Sequence, residues 1–286
     1  MENKRSPIIQ PDELKNLQNQ HINYILIDAR GGADAKDRYN KGHLEGSIFV
    51  DLDSQLADIK ENAANGGRHP LPKIQQFAEL LGNIGITPET QVIVYDDAYG
   101  GNCAARFWWM MKAVSHDKIQ VLNGGLQLAE QFGFKLTTEQ TISLKSTIPY
   151  LVTEWKLPLV NIEVVEEASQ TNNKVIIDVR AAERYNGIYE PIDLVAGHIP
   201  NAINFPYFDH LNPNGSFKTQ DEIRKIYDTT FEKHSADQII VHCGSGVTAC
   251  HTLLALDYAG FQIPNLYMGS WSEWSRNGKP IVKMEK

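Results

Sequence analysis

The residues best suited to chemistry lie late in the chain, where Cys243-Gly244-Ser245-Gly246-Val247-Thr248 follows a strand-like run and precedes a helix-like one. Two glycines in six residues let the backbone curl with its N–H groups inward, and a helix start adds unpaired donors and positive dipole charge. Such a loop is an anion cradle. A thiol at its centre is held as thiolate, a nucleophile that needs no charged neighbour. An inert packing thiol has no use for the Gly-x-Gly curl, so Cys243 reads as reactive.

Competing chemistries fit less well. A phosphatase of the Cys-x5-Arg kind needs a guanidinium to clamp the phosphoryl oxygens, and that position is Ala249. A zinc site drawn from His242, Cys243, Cys250 and His251 would join a strand end to neighbours on a helix, without Cys-x2-Cys spacing. Cys250 and Cys103 stand at matching helix positions and read as packing thiols. Three cysteines are too few for a disulfide framework and suit a reducing, cytoplasmic setting.

The elements that must position the loop occur twice. Leu26-Ile27-Asp28-Ala29-Arg30 recurs as Ile176-Ile177-Asp178-Val179-Arg180, Gly42-His43 as Gly197-His198, and Gln91-Val92-Ile93-Val94-Tyr95-Asp96 as Gln238-Ile239-Ile240-Val241-His242-Cys243. Three ordered matches with drifting offsets indicate a duplicated domain, not a solenoid of short repeats. Residues 24–27, 91–95, 174–177 and 238–242 are short apolar runs expected for parallel strands buried on both faces. Helical spacing is expected over 74–81, 104–114 and 249–258. The fold class is α/β, twice: residues 1–138, a Thr/Ser/Pro-rich connection over 139–158, and residues 159–286. Asp96 stands where the second copy has Cys243, so only that copy can run cysteine chemistry.

The 286 residues, 42% hydrophobic and 22% charged, exclude a disordered or fibrous chain, and a net charge of -8 argues against nucleic acid and anionic membranes as partners. No apolar run approaches a membrane span. An anionic ligand must therefore be held by local groups.

These features together, with the late Gly269-Ser270-Trp271-Ser272-Glu273-Trp274 segment, resemble the tandem rhodanese-type sulfurtransferases. Within that family a Cys-Gly-Ser-Gly-Val-Thr loop is similar to the 3-mercaptopyruvate enzymes, whereas thiosulfate enzymes more often carry Arg-Lys after the cysteine. The physics agrees: thiosulfate places its charge beside the transferred sulfur, while mercaptopyruvate carries one carboxylate a few atoms away. The resemblance implies that Arg184 binds the donor carboxylate, with Gly244, Gly246, Val247 and Thr248 as substrate-binding loop positions. It also implies an Asp34-His43-Ser245 proton relay; His43, like His198, can equally be a turn histidine. Many such enzymes have a second arginine before the Gly-His turn, and this chain has Ile192 there.

The implied reaction is a two-step displacement through a Cys243 persulfide, needing no metal or organic cofactor. The acceptor would be thioredoxin, a small thiol or cyanide, and a monomer is the simplest assembly. A thiosulfate sulfurtransferase and a non-catalytic persulfide carrier are the alternatives.

Overall fold

A computed structural model describes residues 5–142, 145–146, 148–171 and 173–284; of the connection expected over 139–158, residues 143, 144 and 147 lie outside them. The chain forms two compact units, one of Met1–Asp58, Pro72–Lys156 and Leu211–Phe217, the other of Ile59–Leu71, Leu157–His210 and Lys218–Lys286. Each unit thus takes one short segment from the other half of the sequence. Among the described residues no helix is long and apolar enough to cross a membrane.

The first unit's sheet consists of β1 (Ile8–Ile9), β2 (Ile25–Arg30), β3 (Ser47–Asp51), β4 (Val92–Tyr95) and β5 (Ile119–Leu122), in the order β1-β5-β4-β2-β3. The second has β6 (Leu159–Val160), β7 (Val175–Asp178), β8 (Ala202–Asn204), β9 (Ile239–His242) and β10 (Asn265–Tyr267), in the order β6-β10-β9-β7-β8. The orders are the same and all of these pairings are parallel. The duplicated α/β architecture is as the repeated segments predict. β4 and β9 are buried along their whole length, as continuous apolar runs in a helix-covered parallel sheet must be.

The helices α1 (Ile74–Asn83), α2 (Cys103–Ala113) and α3 (Thr248–Tyr258) match the expected helical stretches to within a few residues. In α2 and α3 every residue but Lys112, Thr248 and Tyr258 is buried, so these helices are covered nearly all round. The connecting stretch is packed against the first unit: Lys156 N–H donates to the Ala113 carbonyl at 2.7 Å, and Tyr150 Oη lies 2.9 Å from His116 Nδ1.

The repeated motifs prove to be scaffolding, because both units use them identically. Arg30 pairs with Asp28 at 2.9 Å and donates to the Gly42 carbonyl at 2.8 Å; Arg180 pairs with Asp178 at 2.6 Å and donates to the Gly197 carbonyl at 2.6 Å. Burial would raise the Asp178 carboxyl, but the Arg180 charge and hydrogen bonds carry it below its ordinary value. His43 stacks on Tyr39 and His198 on Tyr185, each at 3.8 Å between ring centres, with Nδ1 2.8 Å from the same tyrosine's backbone carbonyl. These buried ion pairs and stacked rings fix the chain where it leaves the sheet and returns.

His210 and His251 sit inside the second unit with rings 5.5 Å apart, His210 Nε2 lying 2.7 Å from Tyr227 Oη. Burial holds both neutral, with His210 pushed down to about 3 and His251 well below the usual histidine range. The unfolded chain therefore takes up these protons first as pH falls. Their contribution is complete above the ordinary histidine pKa of 6.5 and is lost progressively below it. Denaturant unfolding against pH is expected to show this acid loss, and His251→Leu to reduce the slope between those limits by about one proton, ~1.4 kcal/mol per pH unit. An unchanged slope would contradict the burial argument.

Candidate active site

Cys243 begins the loop between β9 and α3 and is 1% exposed. A second wall positions it. The short helix α4 (Ser270–Trp274) presents its first N–H groups to the loop: Trp271 N–H donates to the Cys243 carbonyl at 3.0 Å and Ser272 N–H to the Gly244 carbonyl at 2.9 Å. Ser270 Oγ accepts the Cys243 N–H at 3.2 Å. Gly246 has φ +75°, and a Cβ there would lie 2.5 Å from the Met268 carbonyl oxygen, so this turn admits only glycine. With its first two carbonyls tied to α4, the loop keeps the amide edge beyond Cys243 for an anion. Val247 and Thr248 open α3, where the helix supplies further N–H donors. Cys250 is a packing thiol in α3, its S–H directed at the Gly246 carbonyl at 3.3 Å.

The first unit shows what this loop does with an anion. Asp96 is followed at the same seven-residue spacing by Cys103, and its carboxylate accepts N–H bonds from Ala98, Gly100, Asn102 and Ala104 at 2.7–3.0 Å. Burial raises the Asp96 carboxyl, and these four donors oppose that rise by holding the anion.

Cationic groups converge over Gly244. A Cβ at this residue would lie 3.1 Å from Arg68 Nη2 and 3.2 Å from Arg184 Nη2, so the smallest residue stands where two guanidinium groups approach the backbone. Arg184 pairs with Glu190 at 2.8 Å and with Asp193 at 3.3 Å. Burial would raise the Glu190 carboxyl, but the Arg184 hydrogen bond and charge lower it below its ordinary value. Arg68 and Arg276 reach the other oxygen of Asp193 at 3.1 and 3.0 Å. Arg180 also reaches Glu190 at 3.3 Å, so guanidinium groups gather on these two carboxylates beside the cysteine loop.

Ser245 is served by a histidine that the sequence reading overlooked. Its Oγ lies 2.8 Å from His69 Nδ1, and His69 belongs to the segment Ile59–Leu71 that is part of the second unit. Asp34 and His43, expected in the relay, lie in the first unit, where both His43 ring nitrogens face carbonyls, of Tyr39 at 2.8 Å and Glu139 at 3.1 Å, in the stacked arrangement His198 repeats. Asp34 is exposed and pairs with Arg38 at 3.1 Å, whose positive charge holds its carboxyl below the ordinary value. The missed residues had a signal. Gly66-Gly67-Arg68-His69-Pro70 sets two chemically capable side chains in a glycine-rich turn, whereas the corresponding turn of the second half, residues 211–217, has neither arginine nor histidine. Gly67, at φ +83°, lies against the Gly269 carbonyl, and Arg68 N–H donates to Ser272 Oγ at 3.0 Å, which brings this turn to α4.

Comparison with known proteins agrees with this geometry. The rhodanese-like domain family matches residues 10–130 and 161–277. The chain is 36% identical over 253 residues to a Pseudomonas aeruginosa protein described as "Probable 3-mercaptopyruvate sulfurtransferase", covering 88% of this chain and 86% of that one. It is 31% identical over 264 residues to the thiosulfate sulfurtransferase of Mus musculus, covering 90% and 85%. The crystal structure of SseA from Escherichia coli, a 3-mercaptopyruvate sulfotransferase, superposes with a TM-score of 0.76 at 31% identity, covering 94% of this chain and all of that one. A duplicated parallel sheet, one cysteine loop and relatives of this kind lead to one conclusion: the chain belongs to the rhodanese family, as a tandem-domain sulfurtransferase.

Proposed function

We propose that this protein transfers sulfur from 3-mercaptopyruvate, through a Cys243 persulfide, to a thiol or cyanide acceptor. The observation that carries the reading is the hydrogen bond between Ser245 and His69 on a loop overlooked by the Arg184 guanidinium. Mercaptopyruvate needs both an anion clamp and a proton carrier. Attack by the Cys243 sulfur on the donor sulfur breaks the carbon–sulfur bond and leaves its electron pair on carbon as the pyruvate enolate. That carbanion must be protonated, and the proton released as the donor thiol becomes the persulfide can reach it through Ser245 and His69. Sulfite leaving from thiosulfate requires no such proton. The persulfide anion then takes the place that the Asp96 carboxylate fills in the first unit, among amide donors. In the second step an acceptor thiolate, of thioredoxin or a small thiol, takes the outer sulfur and returns Cys243 to thiolate. The cytoplasm suits three free thiols, and one chain carries every residue this reaction uses.

Intact-mass measurement after treatment with 3-mercaptopyruvate is expected to show one added sulfur atom on the native chain and none on Cys243→Ser. An adduct that survives in the variant would sink the persulfide assignment. His69→Gln is expected to lower kcat with 3-mercaptopyruvate by ~10²-fold or more, with far less effect on thiosulfate turnover. His43→Gln is expected to leave kcat unchanged while lowering the unfolding midpoint. Equal losses in the two histidine variants would refute the division of labour between them, and a higher kcat/KM for thiosulfate than for 3-mercaptopyruvate would overturn the choice of donor.

A further inference from the structure

The donor's anion site has a second cation from an unexpected part of the chain. We propose that Arg68 and Arg184 together cradle the carboxylate of the sulfur donor over Gly244, with Asp193 as the internal counter-ion that positions them. This rests on the reading that the donor is 3-mercaptopyruvate.

The geometry supports a built site. Nη2 of Arg68 and Nη2 of Arg184 approach the same point beside Gly244 within 0.1 Å of the same distance, one from residues 59–71 and the other from the short helix Ala182–Tyr185. A side chain at 244 would meet both, so the loop cannot carry its own cation there and the charge comes from outside it. The Asp193 side chain has no solvent exposure, and its two oxygens divide the work. Oδ1 takes Arg68 Nε at 3.1 Å and Arg276 Nη1 at 3.0 Å, while Oδ2 takes Arg184 Nη2 at 3.3 Å and Arg68 Nη2 at 3.4 Å. The bonds on Oδ2 are long for charge-assisted pairs; Glu190 Oε1 holds Arg184 Nη2 at 2.8 Å, and a ligand carboxylate over Gly244 would take over the N–H groups that now face Oδ2, itself 3.6 Å from that point. Arg276 faces away from this shared edge, also donating to the Ser272 carbonyl at 2.9 Å, so it anchors Asp193. Arg68 is held at its backbone by Ser272, the residue whose N–H ties down the Gly244 carbonyl. The carboxylate cradle and the cysteine loop are thus referenced to one short helix.

Three donors test this: 3-mercaptopyruvate, thiosulfate, and mercaptoacetone, which has the same carbonyl and thiol but no carboxylate. Arg68→Ala is expected to raise KM for 3-mercaptopyruvate by roughly tenfold or more, the loss of one charge-assisted hydrogen-bonding group, with kcat within about a factor of two. Persulfide formation from mercaptoacetone should be unaffected, and Arg68→Lys should recover part of the KM. Arg68→Ala slowing mercaptoacetone as much as 3-mercaptopyruvate would reduce Arg68 to a structural role and overturn the proposal, as would an unchanged KM for both anions. The donor reading fails separately, if the native chain prefers thiosulfate; the KM for thiosulfate in Arg68→Ala then decides the role of Arg68 by the same criterion.

Discussion

The carbonyl oxygens of Cys243 and Gly244 accept hydrogen bonds from the first N–H groups of the helix at 270–274, and the rest of the site depends on that tie. Buried carbonyls must be paired, and pairing them on this side commits the loop's amide edge to the other. Gly246 completes the turn at positive φ, and the helix that follows adds its own unpaired donors. The same helix receives the turn at 66–69 through Ser272. One short helix therefore sets Cys243, the Arg68 backbone and the Ser245–His69 pair in a common frame.

The two copies separate scaffold from chemistry. What they share, the buried Asp-Arg pair bonded to a glycine carbonyl and the histidine stacked on tyrosine, maintains a parallel sheet with strand order 1-5-4-2-3 in both units. What they do not share lies in the loops: Asp96 in the first accepts hydrogen bonds from four amide donors, and Cys243 stands in its place in the second. Beside the second loop Arg68, Arg184 and Arg276 gather on Asp193.

Repetition made the fold legible and misdirected part of the site. Residues 92–95 and 239–242 announced buried parallel strands because an apolar run of that length, followed by a glycine-rich loop and a helix, has few other solutions. Cys243, Ser245 and Arg184 were legible because loop chemistry and family resemblance both pointed at them. The expected relay ran through His43, a motif that recurs in both copies with the same tyrosine stacking and so draws attention for a scaffold role. His69 and Arg68 were passed over for the opposite reason: the matching turn at 211–217 has no such side chains to draw attention to them, and His69 stands more than 170 residues before the serine it meets.

The sequence by itself determined the duplicated α/β architecture and singled out Cys243, which one copy has and the other lacks, as the candidate nucleophile. Those follow from local pattern: periodicity, glycine placement, and the identity of one residue at the end of a strand. Only the tertiary structure decided which histidine reaches Ser245, that three arginines gather on Asp193, and that the segment at 59–71 belongs with the second unit. Side-chain partnerships between residues far apart in the chain depend on how elements pack, and no local spacing encodes them.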